Sequence, residues 1–421
     1  MSQTPLAPIQ YYEMLLENLV PMLAGSELDP SPVPCKDAAP LVVQPTNSEL
    51  LLRPDSVWKQ QLRLRRAQPF EAGDVRIADK FLRALREKLV AAGQPFFSYL
   101  IDKCPQDVVA LTMQHRSMDD ALFPTILTLL QKWASETYEG SRISAAIAVD
   151  PAPTAARISS IHLLDVVRHD YAKVLSNGMD SVLVLSPSGH VVQHLALTAD
   201  VGASDADVNL APNRYLRLAK WAAGHRVAFA LNRQGEILVF KGSRLQFAFR
   251  RGTWSHFSHD ALLARMGRSK KQRPLMRAVY TTCLDISFAR TGGCIAVAKP
   301  NRKANAAKYL DSADLLASGK TEKTSLLNHL IGERFQSLPR LQREEIAALD
   351  GAIVLDAAGV VLAAGAIVKV PGGSEGGGRR AAAKALSRLG LALKISADGT
   401  ITAFTDRGTQ QKPEIAFEVC G

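Results

Sequence analysis

The spacing of apolar residues changes along the chain, and each change predicts a different kind of element. Tyr11 to Leu23 carries Met14, Leu15, Leu19 and Met22 at one-face helical spacing. Pro30-Ser31-Pro32-Val33-Pro34 follows and predicts a stiff extended linker, because proline cannot continue a helix. From Val75 to Thr137 the pattern is mostly helical, with Phe81, Leu85 and Leu89 on one stripe and Ile126, Leu129, Leu130 and Trp133 on another, both read as core. The period shifts at Ser141. Ile143 to Val149 predicts a strand, and Ile161 to Leu175 a helix with Leu164, Val167, Tyr171 and Leu175 facing inward. Two hairpins pair Val182–Leu185 with Val191–Leu197 and Val227–Leu231 with Ile237–Phe240, around a helix from Asn213 to Ala223. Gly189 and Gly235 close the two turns, where a positive φ is needed.

A charged, glycine-containing stretch from Met266 to Arg273 predicts the last boundary, with Pro274 suited to a helix start. Helices are expected over Leu275–Phe288, Ser325–Phe335, Leu341–Leu349 and Arg379–Leu389, and strands over Cys294–Ala298, Leu391–Ile395 and Ile401–Phe404. Ala352–Leu355 and Val360–Val370 are nearly all apolar, as strands buried on both faces of an α/β sheet are. The expected fold is therefore an α/β C-terminal domain over 273–421, with a mixed sheet flanked by helices. An α+β domain over 141–265 and a mostly helical region over 1–140 precede it.

Composition narrows the class. Of 421 residues, 47% are hydrophobic and 22% charged, which fits a folded protein of two or three domains. Met1-Ser2-Gln3-Thr4 lacks the features of a secretory signal, and the uncharged run Ala357–Val368 is too short to span a bilayer. Five scattered cysteines with no C-x-x-C pair argue against a disulfide framework or a thiolate zinc site, and point to the cytoplasm. The net charge of +11 favours phosphate-bearing partners. With only 6% aromatic residues and no zinc-finger, RRM or helix-turn-helix spacing, nucleic acid is a poor fit, and no membrane partner is expected. His256 and His259 lack a third metal ligand and read as surface histidines, with Trp254, Phe247 and Phe249 as packing. Ser318-Gly319-Lys320-Thr321 imitates the end of a P-loop, but Asp314 stands where its first glycine belongs and no strand precedes it.

Three segments of the last domain have the chemistry of a polyphosphate site. Arg290-Thr291-Gly292-Gly293-Cys294 puts paired glycines at a helix-to-strand junction, where backbone approaches a base or phosphate closely. Asp350-Gly351-Ala352 puts an acid before a buried strand, where a carboxylate can hold a divalent metal or take a proton from a sugar hydroxyl; Gly351 is expected to leave room for substrate. Gly376-Gly377-Gly378-Arg379-Arg380-Ala381-Ala382-Ala383 opens a helix whose positive end and two arginines attract phosphate oxygens.

In this order the three segments resemble the diadenylate cyclase domain of DNA-integrity scanning proteins and membrane-anchored cyclases. Thr291-Gly292-Gly293-Cys294-Ile295 is similar to that family's Thr-Gly-Ala-Leu-Ile turn, and Asp350-Gly351-Ala352 is identical to its Asp-Gly-Ala signature. Gly377-Gly378-Arg379-Arg380-Ala381-Ala382-Ala383, with Ser387 behind it, resembles Gly-Thr-Arg-His-Arg-Ala-Ala, and Ser396-Ala397-Asp398 resembles a Ser-Glu-Glu turn. The resemblance implies a homo-dimer or higher assembly in which two ATP face each other. Each 3′-hydroxyl attacks the other's α-phosphate, giving cyclic di-AMP and pyrophosphate with Mg²⁺ or Mn²⁺ screening charge. On that reading Asp350 activates the hydroxyl or binds metal, Gly351 and Ala352 line the ribose, and Arg379 clamps phosphate. Gly378 and Ala381 replace a threonine and an arginine of the family pattern. The alternative is a pocket that binds ATP or a cyclic dinucleotide without turnover. The preceding part of the chain resembles, more faintly, sensor regions joined to divergent cyclase-like domains.

Overall fold

The computed structural model describes residues 8–35, 39–55, 59–91, 101–115, 118–154, 158–198, 209–267, 269–370, 377–406 and 413–419. They fall into two compact units, the first ending at Ser258 and the second beginning its main body at His259. Both are mixed α/β structures. No helix among the described residues is long and apolar enough to cross a membrane.

The first unit contains a four-stranded antiparallel sheet of β1 (Ser26–Pro34), β2 (Val42–Thr46), β3 (Glu49–Leu52) and β4 (Gln60–Arg66), in the order β1-β4-β3-β2. The prolines expected to form a linker instead lie on β1, an edge strand whose register against β4 is broken between Asp29 and Val33. An edge strand with a bulge needs fewer N–H donors than an inner one, so it accommodates Pro30, Pro32 and Pro34. The region therefore combines this sheet with helices Ala72–Ala91, Cys104–Met113 and Leu122–Ala134. Phe81, Leu85, Ile126, Leu130 and Trp133 are buried in one core with Leu50, Leu52, Leu62 and Leu64 of the sheet.

After a short ladder of β5 (Thr137–Tyr138) and β6 (Ser141–Arg142) comes a seven-stranded mixed sheet. Its members are β7 (Ala145–Val149), β8 (Ser181–Leu185), β9 (Val191–Ala196), β10 (Val227–Leu231), β11 (Ile237–Lys241), β12 (Arg244–Arg250) and β13 (Thr253–His256). They run in the order β13-β12-β11-β10-β7-β8-β9, and only β7 and β8 are parallel. Both expected hairpins are present. The helix expected over 161–175 is reduced to Leu163–Val166 and a 3₁₀ turn Asp170–Lys173, with Leu164 and Tyr171 exposed. The cause is competition for backbone: Val191 donates to Ile161 O and Ser159 donates to Val191 O, which ties the start of the segment to the β9 hairpin.

The second unit is built on β14 (Gly293–Ala298), β15 (Ala352–Leu355), β16 (Val361–Ala366), β17 (Gly390–Ile395), β18 (Ile401–Asp406) and β19 (Pro413–Val419). Their order is β16-β15-β14-β17-β18-β19, with β14 and β15 the parallel pair. Alternation along β14 separates two faces. Cys294, Ala296 and Ala298 share a core with Ala383 and Leu386 of helix Gly378–Leu386. Gly293 points the other way, toward Ile286 of helix Arg273–Ala289 and the Ala347 carbonyl of helix Arg340–Ala347.

The helix expected over 325–335 does not form as one piece. A capping box at Thr321 and Thr324 starts helix Glu322–Leu326 earlier, Gly332 turns at φ +82°, and the Phe335 N–H goes to Gly359 O. β16 stops at Ala366, short of Val370, because the Ile367 N–H donates to the Asp314 carboxylate at 2.8 Å.

Candidate functional site

Strand register decides which of the candidate segments meet. Parallel pairing sets Cys294 beside Ala352, antiparallel pairing sets Gly293 beside Ile395, and β16 sets Ala366 beside Ala352. Thr291-Gly292-Gly293, Asp350-Gly351-Ala352 and Ser396 therefore lie along one edge of the sheet, at the amino ends of β14 and β15.

Arg379 joins this edge from the first turn of its helix. Its Nη2 donates to Thr291 O at 3.4 Å, and its guanidinium lies against Gly292, whose φ is +70°. The helix has no side-chain N-cap and no acid in its first turn, so Arg379 and Arg380 add to its positive end with no acid among the described residues of that turn to offset them. Arg380 is exposed, and Ala381 is buried against the sheet. The preceding loop over 371–376 lies outside the described residues.

Arg290, not singled out as a ligand from its spacing, adopts a left-handed conformation at φ 62° and donates to Asp398 O. With Ser287 Oγ, which donates to Gly399 O at 2.6 Å, it fastens the Ser396–Gly399 turn beside the Thr291 turn. Ser396 is 9% exposed, and its hydroxyl has no hydrogen-bond partner among the described residues. Below Arg379, burial pushes the Cys294 thiol up to about 12 against the opposing pull of the guanidinium.

Asp350 is exposed and stands in front of the buried strand, so it carries no burial cost that a partner must relieve. Two expectations need correction. The room made by Gly351 belongs to the protein. At φ +115°, a Cβ there would stand 2.5 Å from Gly365 C and 2.7 Å from Ala366 O, so the glycine admits the backbone of β16. Ser387 is buried beyond the other end of its helix, with its hydroxyl donating to Lys384 O at 2.7 Å, and so does not join the edge.

Sequence spacing also gave no hint of Lys323 and Asp314. Lys323 Nζ donates to Asp314 Oδ1 and to Gly365 O, each at 2.6 Å, and Asp314 Oδ2 holds the Ile367 N–H. This pair braces β16 where it approaches Gly351. Ser318-Gly319-Lys320-Thr321 forms the end of a 3₁₀ turn and a helix N-cap, with no strand before it. His256 and His259 are not surface residues: His256 Nδ1 lies 3.0 Å from Asp74 Oδ1, and the buried His259 Nδ1 lies 2.8 Å from the Tyr280 hydroxyl.

No group of three His, Cys, Asp or Glu side chains suited to a metal occurs among the described residues. A single exposed carboxylate, Asp350, suits Mg²⁺ or Mn²⁺ only if the ion arrives on substrate phosphates and keeps water in its shell. No protein-family model matches the chain, and no curated protein matches it.

Proposed function

We propose that the C-terminal unit is a diadenylate cyclase-like nucleotide domain that takes ATP at the edge bearing Thr291, Asp350 and Arg379. The carrying observation is the seat of Arg379 on Gly292 and the Thr291 carbonyl, in register through Cys294 and Ala352 with Asp350-Gly351-Ala352. Arg379 and the first-turn N–H groups supply positive charge for a polyphosphate. Asp350 stands in solvent, where it meets a hydroxyl or a phosphate-bound metal. Ser396 offers a buried hydroxyl that lacks a partner among the described residues. Synthesis requires two copies to face each other, each 3′-hydroxyl displacing pyrophosphate from the other's ATP; the N-terminal unit then serves as a sensor.

A second reading, nucleotide or cyclic-dinucleotide binding without turnover, is favoured by Gly378 and by the burial of Ala381. The position that bears a second phosphate-binding arginine in the family pattern has neither the charge nor the exposure to reach a phosphate. Losing one charge-assisted contact costs about 1.5–3 kcal/mol, more than tenfold in rate if the contact belongs to the transition state.

Incubation of the full chain with ATP and Mn²⁺, followed by chromatography, separates the two. The cyclase reading requires cyclic di-AMP and pyrophosphate, abolished by Asp350→Asn. The binding reading requires intact ATP with calorimetric affinity that Arg379→Ala weakens. Absence of both product and binding would defeat the assignment of this edge.

A further inference from the structure

The N-terminal unit contains a cavity of about 320 Å³ lined by residues from separate parts of the chain. This is at the small end of the range of about 300–1,000 Å³ for small-molecule sites. Glu17 lines it from the carboxyl end of helix Pro8–Asn18, while Lys103 and Gln106 line it from the amino end of helix Cys104–Met113. The carboxyl end of a helix carries partial negative charge and the amino end partial positive charge. Glu17 adds to the first and Lys103 to the second, while Asp102, next to Lys103 in the chain, adds a second acid to the lining. The lining thus brings one negative and one positive helix end to the same cavity.

Two lining side chains are polar, deeply buried and unsatisfied. Among the described residues, Trp254 is 3% exposed with no acceptor for its indole N–H, and Gln106 is 4% exposed with no donor to its Oε1. The Gln106 orientation follows from its amide nitrogen, which donates to Thr128 Oγ1 at 2.9 Å and to Pro124 O at 3.4 Å. Buried polar atoms without partners are uncommon in folded proteins, and a water, an ion or a ligand polar group completes them. Trp254 and Phe249 also present rings, 5.2 Å apart, on the same wall.

We propose that this cavity binds a small zwitterion of amino-acid size. The carboxylate faces Lys103 and the amino end of helix Cys104–Met113, and the ammonium faces Glu17 and the carboxyl end of helix Pro8–Asn18. The apolar part lies against Phe249 and Trp254. Small local adjustment on binding gives the indole N–H an acceptor and Gln106 Oε1 a donor. This site is independent of the nucleotide reading and supplies a ligand class for the N-terminal unit.

The test uses the full chain and the common L-amino acids, screened by thermal shift at millimolar concentration and followed by calorimetry. At least one should raise the unfolding midpoint and bind. Its N-acetyl derivative, lacking the ammonium, and its C-terminal amide, lacking the carboxylate, should each bind at least about tenfold more weakly. Trp254→Phe, which keeps an aromatic ring on the wall but removes the five-membered ring with its N–H, should fold and weaken binding about tenfold. Failure of every amino acid to bind overturns the proposal, as does binding of either derivative as tight as that of the parent amino acid. Equal affinity in Trp254→Phe overturns the part given to the indole.

Discussion

The guanidinium of Arg379 occupies the space that a side chain on Gly292 would need. A Cβ at position 292 would lie 2.5 Å from Nη1 and 3.2 Å from Ile395 O, at a φ of +70°. Arginine can swing away, but the Ile395 carbonyl belongs to β17 and the backbone angle is unfavourable for any L side chain. Gly292→Ala should therefore cost about 1–2 kcal/mol of stability and also release Arg379 from Thr291. Urea unfolding and ATP calorimetry on the same preparation check both effects. Unchanged ATP affinity would mean that this seat of Arg379 is irrelevant to the nucleotide.

Gly351→Ala should be the more damaging substitution. Here the obstacle is the backbone of Gly365 and Ala366, at 2.5 and 2.7 Å, and the φ of +115° is further from what alanine tolerates. Strand separation or strain should cost roughly 3–5 kcal/mol. Denaturant midpoints for the two alanine variants compare them directly. A mild loss of stability with complete loss of ATP binding would return Gly351 to the role of making room for substrate.

These two glycines show how much was legible. The buried strand Ala352–Leu355, both hairpins and the helix before Gly293 follow from period and turn chemistry, because local pattern and final burial agree there. The edge position of β1 was hidden by its prolines, and β19 (Pro413–Val419) by Glu414 and Glu418, which break the alternation of its apolar residues. At the site, Asp350-Gly351-Ala352 and the Arg379 helix were visible as residue types. Their shared edge comes from register between strands distant in sequence, which no local spacing encodes. Ser387 shows the converse: its place behind Arg379 in a motif put it at the wrong end of a helix.

In the N-terminal unit, Asp74 is fully buried among Arg66, His256 Nδ1 at 3.0 Å, Ser258 Oγ at 2.7 Å and the Glu71 N–H at 2.8 Å. Burial alone would raise its pKa. The His256 hydrogen bond, the charges of Arg66 and His256, and the Glu71 N–H outweigh burial and hold the carboxyl well below the usual carboxylate range. A depressed folded value means that the unfolded chain binds the proton first on acidification. The stability linked to Asp74 is thus fully present above the unfolded value of about 3.9 and is lost as pH falls below it. Urea midpoints measured by tryptophan fluorescence from neutral pH downward should fall steeply below about pH 4. Asp74→Asn should lower stability by about 3–5 kcal/mol at neutral pH, by stranding Arg66, and flatten that acid slope. An unchanged slope would show that other carboxylates govern acid unfolding.

Lys323 supplies the sharpest test of whether the edge is braced or ligated by this lysine. Its bonds to Asp314 and Gly365 O tie down β16, and Asp314, only 9% exposed, depends on it for charge balance. Lys323→Met should cost about 1–3 kcal/mol, chiefly by leaving the Asp314 carboxylate unpaired, and should weaken ATP binding because Gly365 and Ala366 shift against Gly351. A direct phosphate contact would produce the same loss of affinity, so the single variant does not distinguish the roles. The double variant Lys323→Met/Asp314→Asn does: it removes the stranded charge while its amide still accepts from the Ile367 N–H. If Lys323 acts by positioning β16, denaturant unfolding and calorimetry will show stability and affinity recovering together. Recovery of stability without affinity would instead make Lys323 a ligand to the phosphates.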